Sequence, residues 1–138
     1  MNTLPASPTL ENIVALLNSN DGAVGRAMVV LLSRQTAGEA SMGATVESNG
    51  RGFTAFNAST GTYIAKWVLG VSSNASQREV EVAMTRLLAS NGTGRAVTGR
   101  FLDKARKIAL THRGQLLEVA LAKHAAIVAA YFDVADVG

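Results

Sequence analysis

The sequence predicts a mainly α fold: a single-domain helical bundle of about five helices, with a long C-terminal helix and a small β-hairpin or loop insert. Three observations predict it. Hydrophobic residues make up 48% of the chain and aromatics only 5%, so the core is built from Ala, Val, Leu and Ile, and alanine has the highest helix propensity. Apolar residues recur three and four apart through most segments. Capping residues precede several of those segments. At 138 residues the chain fits one domain, 1–138, able to bury its own core.

Residues 1–7 read as a flexible arm. Ser7-Pro8 offers an N-cap followed by proline at the first helical position, and Leu10, Ile13, Val14 and Leu17 carry a first helix over about 8–18. Asn18 to Gly22 is a turn, with Asp21 as cap of a second helix over about 22–38, striped by Val24, Met28, Leu31 and Leu32. Residues 39–57 are the least regular. Ser48-Asn49-Gly50-Arg51-Gly52 is a strong turn signal, and the segment around it reads equally as a hairpin or a functional loop.

Asn57 is placed to cap a third helix over about 58–69, which stops at Gly70. Ser76 and Glu79 form a capping box opening a fourth helix, which ends at Asn91-Gly92 as a C-cap. Thr98 caps the last helical region. Its apolar period runs from Phe101 through Leu116 and Leu121 to Tyr131. One helix over about 99–132, kinked near Gly114, is the favoured reading over a break at His112-Arg113-Gly114. This long helix would serve as a central strut or a dimer contact. Residues 133–138 read as a flexible tail.

The net charge is +3, and six of the 13 Lys and Arg residues fall between Arg95 and Arg113, against Asp103 alone. The charge is therefore local: +5 in that stretch and −2 elsewhere. Arg100, Lys104 and Lys107 share a helix face, three or four residues apart. Arg106 and Arg113 are offset from that row, and Arg95 follows the turn Asn91-Gly92-Thr93-Gly94. Such a surface suits a phosphate backbone, with amides of the turn adding anion contacts. The competing reading is a solvated charged face in which Asp103 pairs with Arg100 and Lys107. In the turn before Phe53, Arg51 and Phe53 could supply a guanidinium and a stacking ring to a base, or Phe53 and Phe56 could simply pin the turn to the core. Tyr63 and Trp67, four apart, suit stacking, core or interface.

Other chemistry finds little support. There is no cysteine, so disulfides, thiolate zinc sites and a cysteine nucleophile are excluded. Gly94 to Gly99 has phosphate-loop spacing, but Arg100-Phe101 stands where Lys-Ser/Thr is needed and no strand precedes it. His112 and His124 lie twelve residues apart, about 18 Å along a straight helix, and cannot share a metal. No secretory signal or membrane-length apolar run is present. The expectation is a non-enzymatic cytoplasmic protein of a bacterial host cell, without cofactor, metal or membrane contact.

Two segments carry a resemblance. Gln35-Thr36-Ala37 precedes Glu47-Ser48-Asn49-Gly50-Arg51-Gly52-Phe53, and Gly94-Arg95-Ala96-Val97-Thr98 precedes Ala105-Arg106-Lys107 and Gly114-Gln115-Leu116. Over about residues 30–118 this order resembles a small domain of phage and mobile-element proteins, found beside or within helicase-type replication proteins. Asn57 stands where that pattern has an Asp opening the helix, a conservative cap change. The resemblance implies a phage or mobile-element setting and a nucleic-acid or replication context. It supplies no activity.

The expected function is therefore a phage or mobile-element accessory protein that binds DNA or RNA through Arg95, Arg100, Lys104, Arg106, Lys107 and Arg113, helped by Arg51 and Phe53. The alternative is a phage inhibitor of a host defence or transcription complex, anchored by Tyr63, Trp67 and the 49–56 loop. A second alternative is a structural homo-oligomer assembled through the C-terminal helix.

Overall fold

A computed structural model of the chain describes residues 6–42 and 52–137, with side chains over 6–35 and 52–130. The described residues form six helices: α1 Leu10–Ser19, α2 Asp21–Met42, α3 Ala55–Leu69, α4 Gln77–Leu88, α5 Gly99–Thr111 and α6 Arg113–Val137. No strand occurs among the described residues, and the Arg51 turn lies outside them. The mainly helical class expected from the composition is what the chain adopts, with one helix more than counted from the pattern.

The extra helix comes from His112. The favoured single helix over 99–132 is in fact two, separated at His112, whose φ of −104° and ψ of 23° leave the helical range. The apolar period continues across the break, which is why periodicity alone concealed it. The break is held by hydrogen bonds that spacing does not reveal. The His112 ring is 4% exposed. Its Nδ1 lies 2.7 Å from the Ile108 carbonyl, and its Nε2 accepts from the Thr54 N–H at 3.1 Å. A carbonyl beside Nδ1 and an amide donating to Nε2 suit the tautomer that carries its proton on Nδ1. One ring thus bends the chain between α5 and α6 and satisfies the amide that opens α3.

Three N-caps also differ from expectation. Thr9, not Ser7, opens α1: Asn12 N–H donates to Thr9 Oγ1 at 3.2 Å and Thr9 N–H to Asn12 Oδ1 at 3.1 Å, a reciprocal box. Asn20 Oδ1 accepts from the Ala23 N–H at 3.1 Å, so it takes the capping role expected of Asp21. Thr54, not Asn57, is the N-cap of α3. Ser76 does cap α4, accepting from the Glu79 N–H at 3.2 Å. That helix ends at Ala89 rather than at Asn91-Gly92. Its last carbonyls are met from across the molecule: Arg26 donates to Leu87 and, at 2.7 Å, to the Gly92 carbonyl beyond.

The central element is α2, in place of the expected C-terminal strut. Its run Ala27-Met28-Val29-Val30-Leu31-Leu32 is apolar on every side, the signature of a buried helix. Val24, Met28, Val29 and Leu31 are fully buried, and α2 touches each of the other five helices. By contrast α6 packs on α1, α2 and α5 near its start, where Leu116 is buried, while Leu121 and Ile127 further along are exposed.

Two close approaches position the surface described below. Gly94 has φ of +72°, and a Cβ there would sit 2.5 Å from the Val68 carbonyl oxygen. The adjoining Arg95 N–H donates to that carbonyl at 2.8 Å. A Cβ at Gly61 would meet the Phe53 ring at 2.4 Å, so Phe53 lies directly on the α3 backbone.

Candidate functional site

Helices α3 and α5 pack against each other and leave a surface groove along their junction. They run in opposite directions: the start of α3 (Phe56, Asn57, Thr60) lies beside the later part of α5 (Lys104, Lys107, Thr111), and Tyr63 and Trp67 lie beside Phe101. Phe56, Thr60, Tyr63 and Trp67 follow the i, i+4, i+7, i+11 spacing of one helical face. The opposite face of α3 carries Gly61, Ala65 and Val68 into the core. On α5, Ala105, Ile108 and Ala109 are buried, which turns Arg100, Lys104 and Lys107 outward on the groove side.

The groove has two parts. One is an open trough of about 740 Å³ lined by Thr54, Phe56, Thr60, Lys104, Lys107 and Thr111. The other is a smaller cleft of about 210 Å³ among Tyr63, Trp67, Val97, Thr98 and Phe101. That cleft is below the ~300–1,000 Å³ usual for small-molecule sites. Its walls are ordered by ring contacts. Tyr63 and Phe101 stand 5.7 Å apart at 33°. The Trp67 Nε1–H donates to the Ala96 carbonyl at 2.8 Å, and the Arg95 guanidinium lies 4.4 Å over the indole centroid, a cation–π arrangement.

Charge on this surface is one-sided. Helix α3 has no acidic residue and α5 has only Asp103. Arg100, Lys104 and Lys107 are all exposed. Among the described residues, ion pairs join Arg34 to Glu118 and Arg106 to Asp21, and none involves these three.

The residues named from sequence divide three ways. Arg95, Arg100, Lys104, Lys107, Tyr63 and Trp67 are brought to the α3–α5 face. Arg113 is exposed at the α5–α6 junction, donating to the Leu110 carbonyl at 2.8 Å. Two residues are corrected. Arg106 faces α1 and α2, donating to the Leu17 carbonyl at 2.9 Å and to the Asp21 carboxylate, so it holds the fold together. Phe53, 2% exposed, is packed over Gly61 and edge-on to His112 at 6.1 Å, so its ring is closed to any ligand. Arg51 lies outside the described residues. The turn amides are also partly spent, since those of Gly92 and Arg95 donate to Ser90 Oγ and the Val68 carbonyl.

Two further residues of this surface, Phe56 and Phe101, are not among the candidates named from sequence. Phe56 is 93% exposed, which disagrees with the alternative in which it pins the turn to the core. The signal available was its register with Tyr63 and Trp67. Among the described residues, no group of three His, Asp or Glu side chains could hold a metal ion, and no helix is long and apolar enough to cross a membrane. No family model, curated protein or solved structure matches the chain.

Proposed function

We propose that this chain is a non-enzymatic accessory protein that binds nucleic acid through the α3–α5 face, in the phage or mobile-element setting its sequence resembles. The observation that carries the reading is Lys104 and Lys107 lining one trough with exposed Phe56, on a surface where Asp103 is the one acid of either helix. Exposed cations attract phosphates, and their release of counterions makes binding salt-dependent. Arg100 extends the row on α5, and Arg95 continues it beside Trp67. Arg26, Arg34 and Arg106 take no part, because each is engaged within the fold.

The test is anisotropy with labelled single-stranded DNA, duplex DNA and RNA across a salt series. The parent binds at micromolar concentration or tighter, and affinity falls as salt rises. Arg100→Gln with Lys104→Gln weakens binding to every sequence and flattens the salt dependence. Equal binding by parent and double variant contradicts the assignment of this face.

A second reading rests on half-exposed Tyr63, Trp67 and Phe101 clustered at one cleft, the residue types that anchor protein interfaces. A host defence or transcription complex would then be the partner, and binding to it without nucleic acid would favour that reading. Exposed Leu121 and Ile127 on α6 support a third, a homo-oligomer. A strict monomer in light scattering at high concentration excludes it.

A further inference from the structure

The aromatic row bears on which form of nucleic acid the face takes. Burying a phenylalanine ring is strongly favourable, and Phe56 forgoes nearly all of that gain at 93% exposure. It lines the same trough as Lys104 and Lys107. Tyr63 and Phe101, each about half-exposed, offer a second aromatic platform. The two platforms are seven residues apart on α3, about 10.5 Å along its axis, so they would meet different bases. Lys104, between them on α5, is placed for the phosphates that connect those bases.

A duplex cannot use this arrangement. Its bases are stacked on one another, and only their edges reach the grooves. Aromatic platforms beside cations reward strands whose base faces are free. Trp67 is the exception within the row, because Arg95 covers one face of its indole and Ala96 holds its Nε1–H.

Resting on the nucleic-acid reading above, we propose that the α3–α5 groove is selective for single strands. Bases stack on Phe56 and on the Tyr63–Phe101 pair, while Lys104 and Lys107 hold the phosphates. DNA and RNA share this chemistry, so both are probed.

The experiment uses the full chain with an oligothymidylate and an oligouridylate of about 16 nucleotides, and a duplex of matched length. The parent is expected to bind at least one single strand more tightly than the duplex. Phe56→Ala weakens single-strand binding by about tenfold, which is about 1.4 kcal/mol and in the range of one stacked base, and leaves duplex binding unchanged. Tyr63→Leu, which keeps apolar bulk in the cleft, acts in the same direction, and the melting temperatures of both variants confirm that they fold. Lys104→Gln with Lys107→Gln weakens both forms. Equal affinity for duplex and single strands, or a Phe56→Ala variant with parental single-strand affinity, overturns the selectivity while the nucleic-acid reading stands. No binding to any probe at low salt overturns both, and leaves the aromatic row to a protein partner.

Discussion

His112 joins three helices through one ring. It accepts the amide that opens α3, approaches the Ile108 carbonyl of α5 and sits where α6 begins. Its role was invisible in sequence because Thr54 is 58 residues away, and no local pattern encodes a remote acceptor. His112→Ala removes the acceptor of the part-buried Thr54 amide and leaves a void where a buried ring stood, so we expect a loss of about 1–3 kcal/mol in urea denaturation. Charged residues pose a related difficulty. Arg106 and Lys107 are adjacent and look alike as basic letters, yet one is turned to Asp21 and the other to the groove. Arg106→Gln should cost about 1 kcal/mol of stability and leave oligonucleotide affinity unchanged. Lys107→Gln should do the opposite. Reversal of that pattern in paired denaturation and anisotropy experiments would refute the division.

Among the elements, α3 is shaped from both sides. Gly61 admits the Phe53 ring on the core side, while Phe56, Tyr63 and Trp67 present rings on the other. Gly61→Ala places a methyl 2.4 Å from a ring carbon, so we expect overpacking of about 1–3 kcal/mol and a lower melting temperature. Helix existence was legible for most of the chain because apolar spacing is a strong local signal. The ends were less so, since Thr9, Asn20 and Thr54 displaced the nearby caps Ser7, Asp21 and Asn57. Helix α6 shows the limit of periodicity. Its stripe continues past Ala120, but Leu121 and Ile127 are exposed. Amide exchange should therefore be slow around Leu116 and speed up progressively beyond Leu121. Uniform protection along α6 would show that another surface covers it.

For the molecule as a whole, α2 supplies the buried axis and the other helices surround it. The helical class was readable from the Ala, Val, Leu and Ile content. The choice of axis was not, because a dense C-terminal stripe competed with the shorter but fully apolar run of Ala27 to Leu32. The proposed binding surface was half readable: Arg100, Lys104 and Lys107 carry a helical register, whereas Phe56 joins them only when α3 is laid antiparallel to α5. The fold separates cations that hold helices together, such as Arg106, from cations left exposed on the α3–α5 face. The most direct test is the salt slope of single-strand binding for the parent, Lys104→Gln with Lys107→Gln, and Arg106→Gln. Four phosphate contacts by Arg95, Arg100, Lys104 and Lys107 predict a slope of log affinity on log salt of about −3. Loss of both lysines should bring it towards zero by about 1.4, and Arg106→Gln should leave it at the parental value. A slope unmoved by the lysine pair, or moved as much by Arg106→Gln, would contradict the account.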